Sequence, residues 1–412
     1  MVPYLIIFII SILVCAAGEW ALRRNRAGGL LLCCVSAAFP VFLAGAREYT
    51  VGTDIATYGN YVFKAACNAR SLFACVRAQR EIDPLYKALA YIVARFTNNP
   101  HWFYFVTALI ICGFTMAGLW YYKHWCSITL GWACFLFLFY GDTLNTMRQC
   151  LALAVVFAAF PFFLEKKYIR FAVFSLAAIL FHVTGIIALV LPVVYLLMKK
   201  TPPRWLQFFL IIACMGLILF YSPLLRIVLQ MNLLPAKFYR YIARGIALAL
   251  NPTILRLPFL IPVIMYYDRF CGFREIPGET AAPAGDFSGI LSHGGAESYG
   301  DAEQAGEEGF DRNALGMFVV LMLLLEICTV QLRSVQAALY RISYYFGYYR
   351  FIAYSRLVRI LRRDNRVIVA AALLCYLAVL WYYQNVIQGN NQIYPYVYSP
   401  GWFRLDIPVM PE

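Results

Sequence analysis

Apolar runs of membrane length, separated by short polar connections, recur along this chain. A helix that crosses a bilayer needs about 20 apolar residues, with roughly 17–25 usual. Such runs cover residues 3–21, 28–46, 102–121, 127–141, 149–164, 205–221, 252–267, 314–333, 343–359 and 367–385. The stretch 170–198 is too long for one ordinary span and carries Phe181-His182-Val183-Thr184-Gly185 at its middle. It reads either as one long helix or as two short half-helices. The pattern predicts an all-α polytopic membrane protein, and no internal repeat is visible in it.

Charge placement chooses between the two readings of 170–198. The basic connections are Arg23-Arg24-Asn25-Arg26, Lys123-His124, Lys166-Lys167-Tyr168-Ile169-Arg170, Lys199-Lys200 and Arg359 to Arg366. Basic loops stay on the cytoplasmic side. A hairpin at 170–198 puts every one of these clusters inside; a single span puts Lys199-Lys200 outside and inverts everything after it. The hairpin gives about 12 spans of the usual length or shorter, with both termini outside. Its half-helices are short for the hydrocarbon thickness, so they require burial in protein.

This parity puts residues 47–101 outside. Within them Asp83-Pro84 signals a helix start, and 84–97 is an amphipathic stretch suited to an interfacial or re-entrant helix. Segment 222–251 is external too, with Lys237, Arg240 and Arg244 at helical spacing. Residues 1–270 form the first part of the membrane bundle and 314–412 the second, ending in an external tail. Between them, 271–313 holds nine Asp/Glu against two Arg, and few aromatics. That composition predicts a disordered cytoplasmic insertion, serving as linker or docking segment.

Composition agrees. The hydrophobic fraction is 62% and the charged fraction 14%, whereas soluble domains run near 25% charged. The net charge of +14 does not imply nucleic acid, because the Lys and Arg sit between spans. An anionic lipid surface or a phosphate-bearing lipid fits better. The apolar stretch Val2 to Ala17 has no basic residue before it and reads as a first transmembrane helix rather than a signal peptide. The 13 cysteines form no metal-type spacing; Cys67 and Cys75 share one external loop and could pair if the outside is oxidising. No glycine-rich nucleotide loop or metal motif occurs, so no cofactor is expected.

The same parity gathers polar residues from four parts of the chain at the outer face: Arg47, Asp54 and Tyr58; Asp142, Arg148 and Gln149; His182 and Thr184; Arg341. Charges at membrane depth are costly unless paired or functional. Arg148 opens a span, so it either snorkels or grips phosphate oxygens at a helix start. His182 is either a satisfied structural histidine or a general base. Asp54, in the turn Gly52-Thr53-Asp54, either pairs with Arg47 or acts on a sugar hydroxyl. The Tyr-dense segment Tyr340 to Arg350, including Tyr345, suits an interfacial belt or sugar faces, and Arg341 a second phosphate. Arg240 and Arg244 suit anionic lipid.

The ordered set of motifs resembles the EpsG family of exopolysaccharide proteins, relatives of Wzy-type polymerases. It consists of Arg47-Glu48-Tyr49-Thr50-Val51-Gly52-Thr53-Asp54 with Tyr58, then Asp83-Pro84-Leu85-Tyr86, then Met147-Arg148-Gln149, then Phe181-His182-Val183-Thr184, then Arg341 to Phe346 and Tyr394-Pro395-Tyr396. Thr184 stands where the family usually has Ser, and 271–313 departs from the pattern. The resemblance implies a bacterial inner-membrane protein with a GT-C-like bundle. It would join oligosaccharide repeat units carried on undecaprenyl pyrophosphate, beside a flippase and a chain-length regulator. Arg148, Arg341 and Arg47 would hold the pyrophosphate, Asp54 or His182 would take the acceptor proton, and no metal would be needed. A glycosyltransferase using a polyprenyl-phosphate sugar and a transporter of lipid-linked glycans remain open beside it.

Overall fold

The computed structural model describes residues 1–78, 81–200, 250–274, 311–334 and 340–407, with scattered positions between 203 and 231. Most of the expected span 205–221, Arg240, Arg244 and nearly all of the acidic insertion lie outside the described residues. Every described element is helical, apart from one isolated bridge between Arg47 and Tyr398.

Two compact units form. One comprises Met1–Leu189 and Arg363–Glu412, the other Val190–Thr280 and Phe310–Arg362. The late helix and tail therefore join the first half of the chain, a division that the position of the acidic insertion does not announce.

The first unit contains α1 (Val2–Ala21), α2 (Arg26–Gly45), α3 (Tyr61–Asn68), α4 (Leu72–Arg77), α5 (Pro84–Val93), α6 (Pro100–Tyr121), α7 (Ile128–Leu138), α8 (Tyr140–Thr143), α9 (Met147–Leu164) and α10 (Tyr168–Phe181). The second contains α11 (Val190–Lys199), α12 (Leu250–Ile254), α13 (Leu257–Met265), α14 (Tyr267–Cys271), α15 (Arg312–Val330), α16 (Ser343–Gly347) and α17 (Arg350–Arg359). Helix α18 (Arg363–Tyr382) returns to the first unit.

Six described helical segments are long and apolar enough to cross a membrane: Val2–Ala21, Arg26–Gly45, Pro100–His124, Met147–Leu164, Arg312–Arg333 and Asn365–Ile387. Twelve spans are not reached among the described residues, and the reasons are local. The expected span at 127–141 breaks at Phe139 into α7 and the single turn α8. Residues 252–267 split into short pieces, with breaks at Leu255–Arg256 and at Tyr266; Pro258 stands in the first turn of α13, where its missing N–H costs no helical hydrogen bond. The expected span at 343–359 becomes two short helices carrying Arg350, Arg356 and Arg359. The break expected in 170–198 is present. Helix α10 stops at Phe181, and residues Val183–Leu189 form a 3-10 turn folded back on it. Gly185 permits that return, since a Cβ there would lie 2.6 Å from the Ala178 carbonyl.

Burial separates lipid-facing helices from the core. The apolar window of α9 is 89% buried, whereas those of α1 and of Asn365–Ile387 are 28% and 22% buried at hydropathies of 2.2 and 1.9. Ile6, Ile9 and Leu13 stand exposed along α1; such apolar surface is stable against lipid, not water. Polar contacts at membrane depth are internal. Trp132 Nε1 donates to Ser11 Oγ (2.8 Å), which donates to the Ser36 carbonyl (2.7 Å), tying α7, α1 and α2. Near the basic connections, Glu19 on α1 accepts from Ser127 Oγ and the Ile128 and Thr129 amides at the start of α7. A carboxylate there satisfies amides that the helix leaves unpaired.

Candidate functional site

The opposite end of the first unit is polar and is built from three distant segments. The tail runs antiparallel to residues 46–52. The Glu48 amide donates to Val397 (2.8 Å), Ser399 to Ala46 (2.8 Å) and Gly52 to Gln392 (3.1 Å). Tyr4 Oη bonds the Ile393 carbonyl (2.9 Å) and Tyr396 Oη the Leu43 carbonyl (2.9 Å). Further on, Asn99 Nδ2 and Trp102 Nε1 both donate to the Arg404 carbonyl.

The loop 142–147 is laced to this layer. Asn145 Oδ1 accepts from Thr53 Oγ1 (2.5 Å) and from the Asp54 amide (2.9 Å). Its Nδ2 donates to Asn391 Oδ1 (3.1 Å), whose Nδ2 donates to Asp142 Oδ1 (3.0 Å). Gly52 sits beneath, at φ +105°, with the Leu144 carbonyl where a Cβ would be.

Arg47 is 1% exposed. Its Nη1 donates to the Leu144 carbonyl (2.6 Å), its Nη2 approaches Met147 Sδ (3.4 Å), and its guanidinium lies 5.1 Å from the Tyr104 ring centre. Burial lowers its pKa, against the opposing pull of neighbouring tyrosines. In this structure Arg47 braces the loop that leads into α9.

That loop delivers Arg148, the second residue of α9. Its Nη1 pairs with Asp83 Oδ2 at 2.6 Å, both side chains 15% exposed. Its guanidinium stacks on Tyr58 at 4.0 Å. Tyr58 comes from a π-helical turn, Ile55–Asn60, a rare geometry that is frequent at functional sites. Tyr86 Oη donates to the Tyr58 carbonyl (2.7 Å) and joins the layers. Burial raises the Tyr86 pKa, Arg148 and Arg47 pull it down and Asp54 pushes it up. A guanidinium has five donors, so contact through one nitrogen leaves Arg148 capacity for a second anion.

His182 lies at the end of α10, which packs on α5 and α9. The Thr184 amide points at its Nδ1 (3.3 Å), and Thr184 Oγ1 is 2.7 Å from the same atom. With Nδ1 accepting from an amide, the neutral ring carries its proton on Nε2, so it is configured to donate from that edge. Gln149 is buried in α9. Cys67 and Cys75 are free thiols, so the possible disulfide is absent. Cys75 is buried with Sγ 3.7 Å from the Lys87 carbonyl.

The family model described as the EpsG family matches residues 30–398. The chain belongs to the EpsG family. No curated protein and no solved structure matches it. This EpsG-family chain is accordingly a multi-pass all-α membrane protein, polysaccharide polymerase-like at the level of its family.

Arg341 and Tyr345 lie in the second unit of the EpsG-family chain, Arg341 half-buried and Tyr345 buried in α16. That unit holds a feature that no sequence pattern singles out. Glu326, inside apolar α15, accepts from Arg256 Nε at 2.6 Å and Arg350 Nε at 3.2 Å. All three are under 10% exposed. Asp83 is the other residue underread from sequence. Its place before Pro84 signals a helix cap, yet its side chain makes no cap bond and turns to Arg148 instead.

Proposed function

We propose that this protein is a polymerase joining oligosaccharide repeat units carried on undecaprenyl pyrophosphate, at the outer face of a bacterial inner membrane. The observation that carries the reading is Arg148. It sits at the N-terminal end of a buried helix, stacked on Tyr58 and held end-on by Asp83. Guanidinium matches phosphate oxygens bidentately and a helix start adds favourable dipole. As the anomeric carbon leaves the lipid pyrophosphate, negative charge grows on the leaving oxygen, and a fixed cation there lowers the barrier. Arg47 holds Arg148 in place through Leu144 and Met147. Tyr58 and Tyr86 offer aromatic and hydroxyl surface for sugar. The GT-C-like bundle is its scaffold in this reading, and flippase and chain-length regulator are its partners.

The test is deletion of the gene in its native host, with lipid-linked and surface glycans resolved by size. Single repeat units accumulate without long polymer, and wild type restores the polymer while Arg148→Ala, expressed at the same level, does not. The expected loss for one such charge donor is about 10²–10³-fold in rate. Full-length polymer from Arg148→Ala sinks the assignment. A normal ladder lacking one side sugar replaces it with single-sugar transfer, and units trapped on the cytoplasmic leaflet replace it with transport.

A further inference from the structure

We infer that Asp83 is the catalytic base for the acceptor hydroxyl, masked by Arg148 until the donor pyrophosphate arrives; this rests on the polymerase reading above. Three observations lead there. First, the Asp83 carboxylate is on Arg148, Oδ2 to Nη1 at 2.6 Å, where the leaving group is to be held. Second, Asp83 forgoes a local alternative. It occupies the N-cap of α5, a position at which Asp normally accepts an amide, and makes no such bond. Third, the pair is roofed by Tyr58 and partly open, each side chain 15% exposed, so an incoming anion reaches it.

The carboxylate thus occupies the anion position of Arg148 in the resting protein. A pyrophosphate carries more charge and more acceptor oxygens than one carboxylate and competes for the same guanidinium. Once displaced, Asp83 loses its cation and is a free carboxylate next to the reacting centre. The acceptor O–H gives its proton to Asp83 as its oxygen bonds to the anomeric carbon. The anomeric C–O bond to pyrophosphate breaks, and the lipid pyrophosphate leaves with the electron pair, its charge met by Arg148. Asp83 returns the proton to water when it pairs with Arg148 again. Base and donor are then coupled, so that an acceptor is not activated before a donor is bound.

Asp54 and His182 are tied differently. The Asp54 backbone is pinned by Asn145, and the His182 Nδ1 is engaged by Thr184.

The experiment uses the full-length protein in lipid nanodiscs, comparing wild type, Asp83→Asn, Asp83→Glu and Arg148→Ala. Binding of undecaprenyl pyrophosphate and polymerisation of lipid-linked repeat units are measured separately. Asp83→Asn is expected to bind the lipid several-fold more tightly, having lost its internal competitor, while polymerisation falls at least about a hundredfold, the usual worth of a general base. Asp83→Glu, which keeps a carboxylate, recovers part of the rate. Arg148→Ala loses both. Wild-type polymerisation by Asp83→Asn overturns the inference and leaves the polymerase reading standing. Weakened lipid binding by Asp83→Asn also overturns it, since Asp83 is then only a brace for Arg148. Failure of the wild type to bind the lipid or make polymer overturns the polymerase reading and this inference with it.

Discussion

Gly52 has a φ of +105°, and the Leu144 carbonyl oxygen lies 2.6 Å from where its Cβ would be. Both facts exclude a side chain: the backbone region is costly for L-residues, and the space is filled. Gly52→Ala should therefore destabilise the protein by about 1–3 kcal/mol, seen as a lower midpoint of thermal unfolding in detergent. Because Leu144 is also the acceptor of Arg47, the displacement should propagate to Arg148 and cut polymer length. An unchanged midpoint would mean that the turn relaxes freely. Arg148→Lys tests the planar guanidinium itself. Lysine keeps the charge but loses the stack on Tyr58 and the bidentate fork, so at least tenfold loss of polymer is expected, about 1.4 kcal/mol; wild-type output from the lysine variant would show that charge alone suffices. At this scale the sequence pointed to Arg47, Asp54, Tyr58, Asp142, Arg148, Gln149, His182, Thr184 and Arg341 as polar residues of one face, because ionisable residues beside apolar spans are conspicuous; Arg341 belongs to the other unit. The sequence did not identify Asp83 as the partner of Arg148. The two are 65 positions apart, and an Asp before Pro has a local explanation that conceals a distant one.

Among the elements, helix existence was legible and helix continuity was not. Hydropathy alone finds α1, α2, α6, α9 and α15, but it averages over breaks. Breaks at Phe139, at Leu255–Arg256, at Tyr266 and at Tyr348–Tyr349 turn apparent spans into short pieces. Only the break at His182 was anticipated, from the charge of the flanking loops. The arginines of α17 make sense once α15 is seen, because Glu326 of α15 binds Arg350 from α17 and Arg256 from the connection between α12 and α13. A buried pair contributes little net stability, yet breaking it leaves a bare charge that costs about 3–5 kcal/mol. Glu326→Ala strands two guanidinium groups and should abolish the thermally stable monodisperse species on size-exclusion chromatography. Replacing all three residues together by Met should recover much of the stability. If Glu326→Ala alone unfolds at the wild-type midpoint, the ion pairs are not part of the stable core.

For the whole molecule, the decisive pattern is the sorting of charge between two ends of the first unit. One end carries Arg23, Arg24, Arg26, Lys123, Lys166 and Lys167 in its connections. The other carries residues 47–101, the loop into α9 and the C-terminal tail, joined from Tyr4–Ile393 to Trp102–Arg404. The N-terminal end of α1 and the tail share that end with residues 47–101. Basic connections are retained in the cytoplasm, so the site end should face outward. In intact cells, a membrane-impermeant maleimide should label Thr57→Cys, whose native side chain is exposed, and should leave Arg170→Cys unlabelled until the membrane is opened, both in a Cys67→Ser background. The reverse pattern would put Arg148 and Asp83 in the cytoplasm. The lipid-linked donor would then have to be used before it crosses the membrane, and the outer-face polymerase would no longer be tenable. Labelling of both positions would mean that the connection at Arg170 is not cytoplasmic, and the crossings assigned to the helices between Thr57 and Arg170, α6, α7 and α9, would have to be redrawn.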